Sequence, residues 1–289
     1  MNNFKNYHPI SNFIYFFVVI LFSMLFWNPF LILVSVVCSF LYSLKLNGKK
    51  SLRFNIIYAL PFALFCAVLT PLFNHEGATV LYYFPNGNPL TKEALFSGLT
   101  SGGMLLCVFL WFSCFNIVMT SSKFVYLFSK LSPFVSLLLS LVLGFVPKFI
   151  KQFKKIADIK KLSSLEKQEK SLKQKTKFYA SVFSSLTTWA LENSLQTAQS
   201  MKSRGYGVEN AKKRTSFSPY QFKKRDIIFL SYLSFFSVVF IFGIIKGKLN
   251  FNFYPVISYT NFDIYTLSIY IAFFLMATSP FICERRVKK

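Results

Sequence analysis

Ser200-Met201-Lys202-Ser203-Arg204-Gly205-Tyr206-Gly207 closes a hydrophilic, strongly basic stretch that runs from about Lys148 to Arg225. Long apolar runs with almost no charge lie on either side of it. A chain that keeps one large cationic segment between hydrophobic runs is built to present that segment to a partner.

The flanking runs set the class. Of 289 residues, 54% are hydrophobic, 38 are Phe, and the mean hydropathy is +0.46, a composition beyond the usual soluble range. The expected fold is all-α: a polytopic helical membrane protein with about six spans and a cytoplasmic region of amphipathic helices. The net charge of +23 raises nucleic acid as a partner. The positive charges sit beside apolar runs, however, as membrane topology requires. Nucleic-acid binding also needs features beyond net charge, so no such partner is expected. Cys38, Cys66, Cys107, Cys114 and Cys283 form no CxxC pair and read as small buried hydrophobes. No cleavable signal peptide is expected, because the first apolar run leads straight into the second.

A helix needs about 20 apolar residues to cross a bilayer. Candidate spans are Asn12–Phe26, Phe30–Leu44, Asn55–Phe73, Gly98–Ser121, Ile227–Ile245 and Ile264–Cys283. The first two are short and read as a helical hairpin turned at Trp27-Asn28-Pro29. Ionisable side chains are absent from all six cores. Asp158, Asp226, Asp263, His8 and His75 fall outside them, so no intramembrane proton or ion relay is evident.

The positive-inside rule orients the chain. With both termini and the long basic stretch inside, only Lys92, Lys246 and Lys248 of the 33 Lys and Arg residues lie outside, leaving 30 inside. Phe124–Pro147 is apolar but bracketed by Lys123 and Lys148. Crossing the membrane there would put the basic stretch outside, so an in-plane or re-entrant helix pair broken near Pro133 is expected. The expected organisation is a membrane region at residues 1–122, an in-plane and coupling region at 123–226, and a second membrane region with a basic tail at 227–289. The external loop Asn74–Ser97 holds a turn at Pro85-Asn86-Gly87-Asn88-Pro89. His75 and Glu76 there lack a second cluster to complete a metal site, and a structural or solvated role is expected.

Two amphipathic helices are expected in the basic stretch. In the first, roughly Lys148–Lys173, Phe149, Phe153 and Ile156 recur at helical spacing among Lys151, Lys154, Lys155, Lys160 and Lys161, with Leu162, Leu165 and Leu172 further along. In the second, roughly Thr176–Arg204, Phe178, Val182, Leu186, Trp189 and Ala190 form one face that continues less strongly to Ala198 and Met201. Arg204-Gly205 fits a plain helix terminus, since Gly adopts positive φ without strain and a cation there favours the macrodipole. It also fits an exposed guanidinium held at a rigid tip, suited to docking on a carboxylate. Lys212-Lys213-Arg214 and Lys223-Lys224-Arg225 suit anionic lipid headgroups.

At these residues the chain resembles the transmembrane T component of energy-coupling factor transporters, the ABC-type importers of vitamins and transition-metal ions. The resemblance is carried by Glu192, Ala198, Met201, Ser203-Arg204-Gly205-Tyr206-Gly207 and Arg214-Thr215. Gly144-Phe145-Val146-Pro147-Lys148-Phe149, Asn74-His75-Glu76-Gly77 and Asn86-Gly87-Asn88-Pro89 add to it. The order of membrane, coupling helices and membrane covers nearly the whole chain. The chain departs from the family where a first Arg-Gly motif would fall. It reads Lys161-Leu162-Ser163-Ser164 there, which leaves Lys160 or Lys161 as point-charge substitutes.

The resemblance implies a non-catalytic scaffold in a prokaryotic plasma membrane, with both termini cytoplasmic. Its implied partners are two cytosolic ABC-type ATPases, one or more small substrate-binding membrane subunits, and the lipid bilayer. Ser203, Arg204 and Gly205 would make the ATPase contact, with Met201 and Tyr206 supporting the tip. No catalytic residue, cofactor or metal site is implied, and no Walker-type loop is present. Two other classes fit the sequence less well. A membrane-embedded enzyme needs acid, base or metal residues at the membrane face, and Asp and His are scarce. A self-sufficient permease or neutral-pore channel could use Ser, Thr and Asn, and uptake by this chain alone would distinguish it.

Overall fold

The computed structural model describes residues 3–25, 27–83, 88–163, 172–206, 220–246, 251–257 and 263–285. The chain is an all-α polytopic membrane protein, and it divides into two compact units. Residues 1–124 and 220–289 form the first; residues 125–219 are inserted within it as the second.

The first unit is a helical bundle built from α1 (Pro9–Leu25), α2 (Pro29–Asn47), α3 (Lys49–Phe54), α4 (Leu60–Phe73), α5 (Lys92–Val118), α9 (Lys224–Ile245) and α10 (Ile264–Arg285). A π-helical turn at Asn55–Ala59 joins α3 to α4. Pro29 starts α2 where its missing N–H costs nothing, and the Asn28 side chain accepts from the Phe30 N–H at 3.1 Å. The Asn28 amide also donates to the Tyr270 hydroxyl at 3.1 Å, so the expected hairpin turn is pinned to α10.

The core is aromatic, and Ser35 gathers several of its polar groups. Ser35 accepts from Trp111 Nε1 at 2.9 Å and Cys107 Sγ at 2.8 Å, and shares a 2.9 Å bond with Ser23. In a membrane interior such bonds between helices have no competing water. Helices α4 and α5 pack through glycine. A Cβ on Gly98 would lie 2.5 Å from the Ala67 carbonyl, and one on Gly102 would lie 2.6 Å from the Ala63 carbonyl. Gly98 and Gly102 are four apart, the small-xxx-small spacing that lets two helix backbones approach.

A two-stranded hairpin, β1 (Val80–Tyr83) and β2 (Pro89–Thr91), leads into α5. Thr91 caps α5 by accepting from the Ala94 N–H, and Glu93 accepts from the Thr79 hydroxyl at 2.8 Å and its N–H at 3.3 Å. This capping explains why α5 starts six residues before the expected Gly98: Lys92 and Glu93 belong to the helix, though their charge reads as loop.

The second unit holds α7 (Pro133–Ser163), α8 (Leu172–Ser203) and most of α6 (Ser121–Leu131). The helical path is interrupted at Ser132, next to the expected break at Pro133. The expected boundary at Lys148 is absent. The apolar residues from Phe134 and the basic residues to Lys161 are one helix, which continues through Pro147.

Among the described residues six helical segments are long and apolar enough to cross a membrane: Pro29–Asn47, Ser51–Phe73, Lys92–Val118, Phe134–Leu162, Lys224–Ile245 and Ile264–Cys283. This set differs from the expected one in two members. At 17 residues α1 is shorter than the others, and the apolar half of α7 gains length by continuing into its basic half.

Candidate functional site

The basic segment that dominates the sequence is the pair α7 and α8. Phe145, Phe149, Phe153, Ile156 and Ala157 on α7 are the less exposed positions, recurring at three and four residues. On α8 the corresponding stripe is Phe178, Val182, Leu186, Trp189, Ala190 and Met201, with Val182 fully buried. Phe149 meets Trp189 edge to face with centroids 5.7 Å apart. Hydroxyls on the rest of α8 turn back onto their own helix: Thr176, Ser185, Thr187, Thr188 and Thr197 each bond the carbonyl four residues earlier.

Lys160 and Lys161 are placed differently. Lys160 Nζ donates to the Ser181 carbonyl and to its hydroxyl, both at 2.6 Å, tying α7 to α8. Lys161 is exposed on the last turns of α7.

The end of α8 gathers Met201, Ser203, Arg204, Gly205 and Tyr206 into one closed turn. Gly205 has φ +78°, its N–H donates to the Lys202 carbonyl at 3.0 Å, and the Tyr206 N–H reaches back to the Met201 carbonyl at 3.0 Å. These two bonds form a Schellman motif, in which glycine takes the left-handed position and the last helical carbonyls are satisfied. The Ser203 hydroxyl bonds the Ser200 carbonyl at 3.0 Å, and the Arg204 N–H the same carbonyl at 3.2 Å. The backbone around Arg204 is thus fixed on both sides while its side chain is exposed. The helix of 32 residues sets that guanidinium at the end of a rod roughly 48 Å long.

α8 carries a second apolar side that the sequence reading missed. Tyr179, Phe183, Leu191 and Leu195 are all more than half exposed. On α7, Phe134, Leu138, Val142, Val146 and Ile150 recur every four residues and are exposed. The four-residue spacing on α7 is legible in the sequence as a stripe separate from the one that faces α8.

His75, weighed as a metal ligand, pairs with the Asn88 amide at 3.1 Å. Among the described residues no group of three or more His, Cys, Asp or Glu side chains is placed to hold a metal ion.

Helices long and apolar enough to cross a membrane, with a long basic helix pair inserted between them in the chain, define a multi-pass membrane protein. A family model described as cobalt transport protein (CbiQ) matches residues 5–215, most of the chain, and the chain belongs to that family. It is the transmembrane-component family that the motif residues resemble. A search of curated proteins finds no match.

Proposed function

We propose that this chain is the energy-coupling scaffold of an ATP-driven importer. Residues 123–226 serve as the coupling region between two membrane regions, and they and both termini face the cytoplasm of a prokaryote. Two ABC-type ATPases dock on the ends of α7 and α8. Ser203-Arg204-Gly205 makes the principal contact, and Lys161 makes the weaker first one, while Lys160 holds α7 against α8. ATP-driven closure moves the helix ends, and the helices carry that motion to a separate small membrane subunit that binds the transported vitamin or metal ion. The family description names cobalt. We assign the choice of substrate to that separate subunit, for which the exposed apolar stripes of α7 and α8 offer a surface.

The observation that carries this reading is the exposed Arg204 on a closed, glycine-terminated helix end. Such a group offers a planar, permanently charged fork, pre-oriented for a carboxylate. The test is purification of the tagged chain in mild detergent, with mass spectrometry of what accompanies it. Two ABC-type ATPases and a small membrane protein are expected. A chain that purifies alone and transports substrate alone in liposomes overturns the reading.

A further inference from the structure

The inserted unit leaves and rejoins the bundle at two points, after Phe124 and before Tyr220. One short segment of the chain, Phe4–His8, binds the bundle side of both. At the outgoing stem, Lys123 Nζ donates to the Lys5 carbonyl at 2.6 Å, and Lys123 is only 4% exposed. At the returning stem, Arg225 Nη2 donates to the Asn6 carbonyl at 2.9 Å, with its guanidinium 5.1 Å over the Tyr7 ring. Next to it, the Asp226 carboxylate accepts from the His8 N–H at 2.9 Å and the Lys223 N–H at 3.0 Å. The His8 ring also meets Phe222 edge to face at 4.8 Å.

The segment that joins the stems is itself fixed. Phe4 is fully buried and packs on Tyr15, Phe16, Tyr42 and Phe229, with centroids 5.5 to 6.4 Å apart, so α1, α2 and α9 hold it. Lys123 is buried and Arg225 half-buried; charge-assisted bonds from such cations to backbone carbonyls are directional, and removing the buried Lys123 donor leaves the Lys5 carbonyl unsatisfied.

We propose that Phe4–His8 is a clasp whose bonds to Lys123, Arg225 and Asp226 hold the two stems of the inserted unit at a fixed separation on the bundle. Lys123, Arg225 and Asp226 are then positioning residues for the coupling step. A motion of α7 and α8 that reaches the stems is delivered to the bundle when both stems are anchored to one point, and dissipates at the stems when they are loose. The clasp rests on the coupling reading above, and it uses the Lys5 and Asn6 carbonyls rather than their side chains.

The test uses the full importer, with its ATPases and substrate-binding subunit, in liposomes, and reads substrate imported per ATP hydrolysed. For Lys123→Met with Arg225→Met, assembly and ATP hydrolysis are expected within about twofold of wild type, with import per ATP down at least fivefold. Lys5→Gln with Asn6→Ala keeps both carbonyls and is expected to couple normally. Lys123→Arg and Arg225→Lys keep a donor and are expected to restore most of the coupling. Unchanged import per ATP in the double Met variant overturns the clasp. If that variant fails to assemble, the two single Met variants decide: reduced coupling supports the clasp, and wild-type coupling in both overturns it. Failure of the coupling reading itself shows differently, as wild-type chain that retains no ATPase.

Discussion

The Tyr206 amide donates to the Met201 carbonyl at 3.0 Å, and this bond closes the end of α8 around Arg204. It requires residue 205 to sit at positive φ, and glycine is there with φ +78°. An alanine Cβ at 205 meets no atom within 4 Å, so substitution is penalised by backbone conformation alone. Gly205→Ala is therefore expected to cost about 1–2 kcal/mol at the helix end and to weaken ATPase attachment without altering membrane insertion. Gly205→Asn, better tolerated in the left-handed region, is expected to fall between Ala and wild type. Co-purified ATPase per scaffold checks the order.

Glycines 102 and 144 make opposite predictions from the same substitution. A Cβ at Gly102 would lie 2.6 Å from the Ala63 carbonyl and 2.8 Å from Ala67 Cβ, both on α4, whereas one at Gly144 on α7 meets nothing within 4 Å. Gly102→Ala is expected to push α4 from α5 and destabilise by about 1–3 kcal/mol. Gly144→Ala is expected to be neutral or stabilising by up to about 1 kcal/mol through lower unfolded-chain entropy. Thermal unfolding in detergent separates the two.

Trp189 and Phe149 hold the two long helices together. Trp189→Ala is expected to remove an aromatic pair term of about 1 kcal/mol in addition to buried area, loosening α8 from α7 while leaving the first unit folded. Hydrogen exchange of the α8 backbone amides is the check, with faster exchange expected in the variant. Lys160→Met removes the bond to Ser181 and is expected to act in the same direction with a smaller effect.

Lys123 gives the chain a signature in alkaline pH. Burial, reinforced by the nearby Lys5 ammonium, lowers its pKa from 10.5 to about 8. Between those values the unfolded chain holds a proton that the folded chain has released, so this residue makes stability rise as pH increases from about 8 to about 10.5. Lys123→Met has no such proton to release. Wild type is expected to gain on the variant when unfolding in detergent is compared at pH 7.5 and 9.5. An unchanged difference removes Lys123 as the cause.

The parts legible in the sequence were those with one dominant signal. Apolar length located α2, α5, α9 and α10, and Asn28-Pro29 marked the turn before α2. The stripe Phe178, Val182, Leu186, Trp189 could be read because a two-helix contact imposes one period. What escaped were features that need a partner to define them. The start of α5 lies at charged Lys92 and Glu93, where the Thr91 cap and the Thr79 contacts hold the first turn. The unbroken α7 defied a sharp change of composition at Lys148, because charge alters what surrounds a helix more than whether it forms. The glycine seam at Gly98 and Gly102 has a readable spacing, but its partners lie on α4. The end of α8 was readable in type from Arg204-Gly205, while the closing bond to Met201 belongs to the folded backbone.

The most direct test of the coupling account is charge reversal at Arg204, read as the amount of ATPase that remains with the purified membrane complex. Arg204→Glu is expected to insert normally and to lose at least tenfold of its ATPase, or about 1.4 kcal/mol or more of attachment. Arg204→Lys is expected to lose less, since it keeps charge without the fork. ATPase retention and substrate uptake at wild-type levels in Arg204→Glu would contradict the account.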